Sequence, residues 1–293
     1  IRFRILSNQV NLSNNNEDIV LTISVNEGEI YQFGDIKLFG NTVIAEENIR
    51  SSLLKILKPK EIFSRRKIEQ AKGRIAYLLG DKGYPFPDIV SVPIIDDETN
   101  IVDLEFRVSP GQRSMVRRIN IRGNNNTNDE VYRRELRQYE SSLHNNSAIE
   151  RSTVRIQRLK YVENVAVEKT KVPGSDDLVD LTFNIKERQA GEFKVSAGWS
   201  DIDGALFDIK LQQDNFLGGG KNIGVVASKS TISSSLIFIF TDPYYSPDGI
   251  SKSTNLSFSQ TDVSSTSTAT YVADSFGGGI FYLAPISENE SFG

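Results

Sequence analysis

From Glu192 onward, apolar and polar side chains take turns along the sequence. Phe193, Val195, Ala197 and Trp199 alternate with Glu192, Lys194, Ser196 and Gly198, and Ala205, Phe207, Ile209 and Leu211 alternate with Leu206, Asp208, Lys210 and Gln212. A period of two sends successive side chains to opposite faces of an extended chain, so the pattern predicts strands with one apolar and one mostly polar face. Further strands are expected at 222–229, 235–241, 251–260 and 271–284, the last blurred by Gly277-Gly278-Gly279. Six strands of about ten residues suit the wall of a membrane barrel, although a soluble β-sandwich shows the same alternation. No stretch approaches the roughly 18 apolar residues of a membrane helix, so a membrane passage would use a barrel. A barrel removes its edges only by closing, and six strands do not close into a membrane channel of useful size. The sequence is therefore expected to hold a truncated barrel. Links at 215–220, 242–249 and 285–291 would lie at one rim, with Phe216, Tyr244 and Tyr245 as interface aromatics. Those at 201–203 and 262–270 would lie at the other.

Before Gln189 the pattern is different, and it repeats. Val20, Val102 and Val179 begin matching alternating segments that end in charged turns, at spacings of 82 and 77 residues. A second series aligns Gly40-Asn41 with Gly123-Asn124, 83 residues apart. In the first complete copy, strand 32–39 leads to helices near 45–57 and 64–79, the second with Ser64 as the expected N-cap, and then to strands 88–94 and 101–108. The second copy has strand 115–122, helices near 129–139 and 147–159, and strands 165–172 and 178–187. The fold class is thus α+β, two β-α-α-β-β modules and the last two strands of a third, followed by antiparallel barrel strands. The chain opens at Ile1 inside a predicted strand with no signal peptide, and is expected to be cut from a longer precursor.

Charge and composition remove several function classes. Residues 191–293 hold five Lys, no Arg and eleven acidic residues, a balance of −6, whereas residues 1–190 balance at +2. Neither half is basic enough for a nucleic-acid partner. There is no cysteine, and His144 is the only histidine, placed in a polar Leu-His-Asn-Asn loop. A Cys/His nucleophile or metal centre is unavailable, and neither catalytic residues nor a cofactor or metal site is expected. The Gly218-Gly219-Gly220-Lys221 run lacks the setting and spacing of a phosphate loop and reads as a turn. Asp201, Asp203, Asp208 and Asp214 do not follow a calcium-loop pattern and read as acidic barrel loops.

Five stretches, taken in order, carry a resemblance: Val172-Pro-Gly-Ser-Asp-Asp-Leu-Val-Asp-Leu, Lys186-Glu-Arg, Gly191-Glu-Phe, Gln213-Asp-Asn-Phe-Leu-Gly and Asp242-Pro-Tyr-Tyr. With the repeats, they make the chain similar to the Omp85 superfamily, in particular to the members that insert β-barrel proteins into the Gram-negative outer membrane. The resemblance implies that residues 1–29 end a third POTRA domain, that 30–110 and 111–190 are the fourth and fifth, and that 191–293 are the first strands of an outer-membrane barrel. The POTRA domains would stand in the periplasm, and the family's barrel-lumen motif would lie beyond Gly293.

Three sets of residues become candidates. By its position in the family, the strand of Glu192, Phe193, Lys194, Val195, Ser196, Ala197, Gly198 and Trp199 would meet the last barrel strand in a weak seam where a client strand pairs; alternation alone makes it an ordinary wall strand. The second strands of the modules, with Asp88, Ile89, Val90 and Ser91 and with Val165, Ala166, Val167 and Glu168, would offer edges to unfolded clients, or bind nothing and be guarded by charge and Pro93. Arg133, Arg137 and Glu140, with Arg134 on or just after one helix, would be a solvated face or, by the resemblance, the dock for the lipoprotein BamD. The resemblance also implies BamB near the third POTRA domain, contact with outer-membrane lipid, and unfolded outer-membrane β-barrel proteins as clients. Two other functions stay open: a transporter of the same superfamily, serving two-partner secretion or autotransporter assembly, and a soluble adhesion or scaffold protein.

Overall fold

The computed structural model describes residues 4–12, 19–26, 28–201, 203–262, 271–287 and 290–293. The expected link at 262–270 falls almost wholly outside these residues, as does Ile202. The chain divides into two compact units. One comprises Ile1–Arg118, Gln138–Ser147 and Lys169–Asp180, the other Ile119–Arg137, Ala148–Glu168 and Leu181–Gly293. The division runs through the second module.

In the first unit, β1 (Arg4–Leu12) and β2 (Ile19–Asn26) form a two-stranded antiparallel sheet. The first complete module follows as β3 (Gln32–Gly40), α1 (Glu46–Leu54), α2 (Arg65–Gly80), β4 (Asp88–Asp96) and β5 (Ile101–Ser109). Its sheet runs β3-β5-β4, with β3 parallel and β4 antiparallel to β5. A parallel pair needs a crossover, which the two helices supply. Ile49 and Leu53 of α1 and Ile68, Ala71, Ile75 and Leu79 of α2 recur at helical spacing, so each helix buries one stripe against Phe33, Leu104 and Phe106 of the sheet. Helix α1 is shorter than the sequence suggests. Ser64 does not cap α2 with its side chain, which makes no hydrogen bond to the first turn.

The second module is built from β6 (Met115–Arg122), α3 (Asp129–Arg133), α4 (Asn146–Gln157), β7 (Val162–Lys171) and β8 (Leu178–Glu187), with the same sheet order, β6-β8-β7. Two glycines mark the repeat in three dimensions. Gly40 (φ +96°) ends β3 and Gly123 (φ +83°) directly follows β6, and a Cβ on either would run into the carbonyl oxygen of Val108 or Ile185 on the third strand. Positive φ and this close approach both require glycine.

Helix α3 stops at Arg133 rather than continuing to residue 139. The N–H of Arg137, which a continuing helix would direct to Arg133, donates instead to the buried Ser152 Oγ at 2.7 Å. Arg133 and Arg137 therefore do not share a helix face.

The second unit ends in an antiparallel meander: β9 (Gly191–Ser200), β10 (Gly204–Phe216), β11 (Lys221–Lys229), β12 (Ser233–Asp242), β13 (Ser251–Asp262), β14 (Val272–Pro285) and the two-residue β15 (Ser291–Phe292). The short last strand makes the sheet seven-stranded instead of six. Register aligns its two faces row by row. Val195, Ile209, Ala227, Leu236, Phe258 and Phe276 form a continuous apolar row across six strands. On the opposite face, Ser196, Asp208, Ser228, Ser235, Ser259 and Ser275 form a polar one.

Candidate functional site

The apolar rows of the meander are uncovered. Phe193 is 69 % exposed, Trp199 76 % and Phe276 79 %, and Leu236, Leu256 and Ile280 are exposed with them. From Phe193 to Trp199 the face rises about 20 Å at ~3.3 Å per residue, close to the apolar band of an outer-membrane wall. At the rim formed by the β10–β11 and β12–β13 links, Leu217 is 86 % exposed. The Tyr245 ring meets Tyr282 edge-on at 6.0 Å, and the Lys252 ammonium lies 4.7 Å from the Tyr245 centroid. Aromatics and a snorkelling lysine at the end of an apolar band are the make-up of a membrane interface.

Strand β9 closes one side of the sheet and pairs only with β10 among the described residues. Glu192, Phe193, Lys194, Val195, Ala197, Gly198 and Trp199 are all exposed, and Ser196 is half-buried. Glu192 ion-pairs with Lys210 on β10 at 3.0 Å. A Cβ at Gly198 would meet no atom within 4 Å, so this position lacks packing on its own face. Strands β4 and β7 likewise stand at the edges of their module sheets. On β4, Asp88 and Val90 are exposed, Ser91 is half-buried and Ile89 turns into the core; on β7, Ala166 and Glu168 are exposed while Val165 and Val167 are half-buried.

In the third candidate set, Arg133 binds the Asp129 carboxylate and donates Nη2 to the Ile119 carbonyl at 3.1 Å. Arg137 turns Nη1 to the Leu136 carbonyl at 3.1 Å, and Glu140 is exposed beyond the helix.

Within the second unit, β8 passes into β9 through Arg188, Gln189 and Ala190 alone. Arg188 N–H donates to the Tyr161 carbonyl at 3.0 Å, and Asp214 N–H donates to the Ala190 carbonyl at 2.9 Å, so the connection is held at both ends. The β10–β11 turn docks on the second module. Asn128 N–H donates to the Gly218 carbonyl at 3.0 Å, and Asn215 Nδ2 donates to Thr127 Oγ1 at 2.7 Å, both side chains buried. Asn215 has φ +59° and Leu217 φ +52°, and the Asn215 carboxamide accepts the Gly220 N–H at 2.8 Å to hold that turn.

The β12–β13 turn docks beside it. Arg134 stacks over the Tyr244 ring at 4.3 Å, and Arg155 joins the buried Glu135 at 2.8 Å while donating to the Tyr244 hydroxyl at 3.1 Å. Below them, the Tyr132 hydroxyl donates to Glu187 at 2.8 Å, and Glu187 also accepts the Asn126 N–H at 2.8 Å. Burial opposes ionisation of Glu187, but the hydrogen bonds from Thr127, Asn126 and Tyr132 outweigh it and hold the carboxyl below its usual range. Sequence reasoning missed this whole cluster. Its members appear in the sequence only as separate stretches, Lys186-Glu-Arg, Gln213-Asp-Asn and Asp242-Pro-Tyr-Tyr, the last with Tyr244 expected as a membrane-interface aromatic.

His144 does not sit in a polar loop exposed to water, as its neighbours suggest. It is fully buried in the first unit, with Nδ1 3.1 Å from the Gly80 carbonyl. Around it, Asn145 and Asn146 donate to the Asp81 and Tyr77 carbonyls, and Ser147 bonds the Asp81 carboxylate. Burial pushes the imidazole pKa down to about 4, the Lys169 cation adds to this, and the Gly80 carbonyl and Asp81 oppose it.

Comparison with known proteins fits this architecture. The POTRA family, described as a surface antigen variable number repeat, matches residues 31–111 and 114–188, and the Omp85 superfamily domain matches 215–293. The chain belongs to the POTRA-bearing Omp85 superfamily. It is 33 % identical over 290 residues to the outer membrane protein assembly factor BamA of Neisseria meningitidis, and 26 % identical over 243 residues to that of Buchnera aphidicola. These matches span 98 % and 83 % of the chain but 36 % and 39 % of the relatives, so the chain corresponds to little more than a third of their length. Among solved structures, Haemophilus ducreyi BamA lacking POTRA domains 1–3 is similar at a TM-score of 0.76 and 29 % identity, covering 89 % of this chain and 49 % of that one. Haemophilus influenzae BamA POTRA3–5 is similar at 0.56 and 29 %, covering 64 % and 73 %. POTRA modules at 31–111 and 114–188 are thus followed by an Omp85 barrel wall.

Proposed function

We propose that this protein is the central subunit of a machine that folds β-barrel proteins and inserts them into the Gram-negative outer membrane. In this reading residues 1–29 end a third POTRA domain, 30–110 and 111–190 are the fourth and fifth, and 191–293 begin the barrel, with the POTRA domains in the periplasm. The observation that carries the reading is β9. It joins a POTRA module through three residues, turns an apolar face outward, and has one edge unpaired among the described residues.

An unpaired edge offers N–H and C=O groups to another strand without reading its sequence. Client strands pair with residues 192–199, after first contact with the edges of β4 and β7. Arg133, Arg137 and Glu140 form a charged surface for the lipoprotein BamD, and BamB binds near the third POTRA domain. Because α3 ends early, that dock is a turn surface and not a helix face.

The test is a disulfide crosslink in the full-length protein within its complex. Cysteines placed singly along 192–199 are expected to trap the C-terminal strand of a stalled client. Absence of a crosslink at every position, with the complex still assembling clients, would overturn the reading of β9.

A further inference from the structure

We propose that a small cleft where the second POTRA module meets the rim of the wall is a phosphate site, filled by the headgroup of an anionic phospholipid. This rests on reading the sheet as an outer-membrane wall. The cleft has a volume of about 170 Å³ and is flanked by Arg134, Arg158, Lys160 and Tyr161 from the module and by Asn222 and Tyr244 from the wall.

Bordering it, Arg134 Nε is buried without a hydrogen-bond partner, and the Tyr161 hydroxyl, which faces the Arg134 guanidinium, has no acceptor for its own proton among the described residues. Tyr161 as a whole is 5 % exposed. A buried donor left unpaired carries an uncompensated desolvation cost. Both are donors, and burial raises the phenol's pKa so that it keeps its proton at neutral pH. An occupant with several acceptor oxygens satisfies both.

The charge balance selects an anion. Two carboxylates also line the cleft, but Glu135 is engaged by Arg155 at 2.8 Å, and Asp214 by Lys160 at 3.6 Å and Gln212 at 3.0 Å. Arg134 lies over the Tyr244 ring with no carboxylate paired to it, and the Arg158 side chain has no partner among the described residues. A cationic excess therefore remains for an incoming group.

Depth selects its source. Tyr244 and Asn222 belong to the same rim as the exposed Leu217 and Tyr245, which mark where the apolar band gives way to headgroups. A phosphate at that level, with acyl chains running up the apolar face, is that of a lipid in the periplasmic leaflet. The guanidinium groups of Arg134 and Arg158 favour phosphate by their fork, while Lys160 offsets the Asp214 carboxylate.

The experiment uses the full-length protein in detergent, titrated with dihexanoyl phosphatidylglycerol, dihexanoyl phosphatidylcholine or inorganic phosphate. Saturable binding of the glycerol lipid is expected, at least about tenfold tighter than either alternative, the equivalent of one charge-assisted hydrogen bond. The exposed pair R158A/K160A should remove that preference, and Tyr161→Phe should weaken binding about fivefold by deleting one donor. Equal binding of the two lipids, or no effect of R158A/K160A, would overturn the site. Inorganic phosphate binding as tightly as the glycerol lipid would overturn the lipid source. Heat-modifiable migration in gels, measured in parallel, reports the barrel itself. Its loss strikes the wall reading, whereas an intact barrel without lipid preference strikes only the cleft.

Discussion

His144 shows how one side chain makes a junction sensitive to acid. Free imidazole takes up its proton near pH 6.5, whereas the buried ring does so only near 4. Between these values the unfolded chain binds more protons than the folded one, so stability is complete above about pH 6.5 and declines as pH falls toward 4, by up to about 3 kcal/mol. The urea midpoint of residues 30–190 is expected to drop between pH 7.5 and pH 4.5, and His144→Asn should flatten much of that drop. An unchanged pH profile in the variant would show that other groups govern it. Gly123 makes a steric prediction at the same scale. Gly123→Ala should cost about 2 kcal/mol or more, since it adds a collision with Ile185 to the strain of positive φ. Gly174→Ala, at φ +79° but with open space around it, should cost only about 1 kcal/mol. Equal losses in urea titrations would remove the collision from the account.

Elements were legible where periodicity was long and unopposed. Six of the seven wall strands follow from alternation, and helices α2 and α4 from their apolar stripes, because their cores sit along a single face. Helix α3 was misread because nothing local foretells that Ser152, fifteen residues on, accepts the Arg137 N–H. Long-range hydrogen bonds also hid the docking turns, since Asn215 with Thr127 and Arg155 with Tyr244 join segments 88 and 89 residues apart. Edge position, by contrast, could be anticipated from the order of strands in the repeat. If β4 and β7 receive clients, a photo-crosslinking residue at Val90 or Ala166 should capture an unfolded barrel protein. The same residue at exposed Arg151 on α4 should not; equal capture at all three would mean nonspecific contact.

At the scale of the whole molecule, the meander has two faces of different solvent preference but no protein over the apolar one among the described residues. A bilayer resolves this imbalance, because it removes the apolar rows from water without a second layer of structure. Trp199, the only tryptophan in the sequence, lies on that face and reports directly. In a full-length protein with other tryptophans replaced, its emission should shift to the blue in vesicles and be quenched by lipids brominated along their chains. Emission that stays red and unquenched would place the face in water.

The three residues between β8 and β9 have a mechanical meaning. A slack tether would let the POTRA module turn without disturbing the wall. Hydrogen bonds from Arg188 to the Tyr161 carbonyl and from Asp214 to the Ala190 carbonyl instead make the connection behave as a short shaft. Torque on the module reaches the wall at β9 through this shaft, as well as through the docked β10–β11 and β12–β13 turns. A strand with one side open among the described residues, β9, is thereby coupled to every rotation of the module.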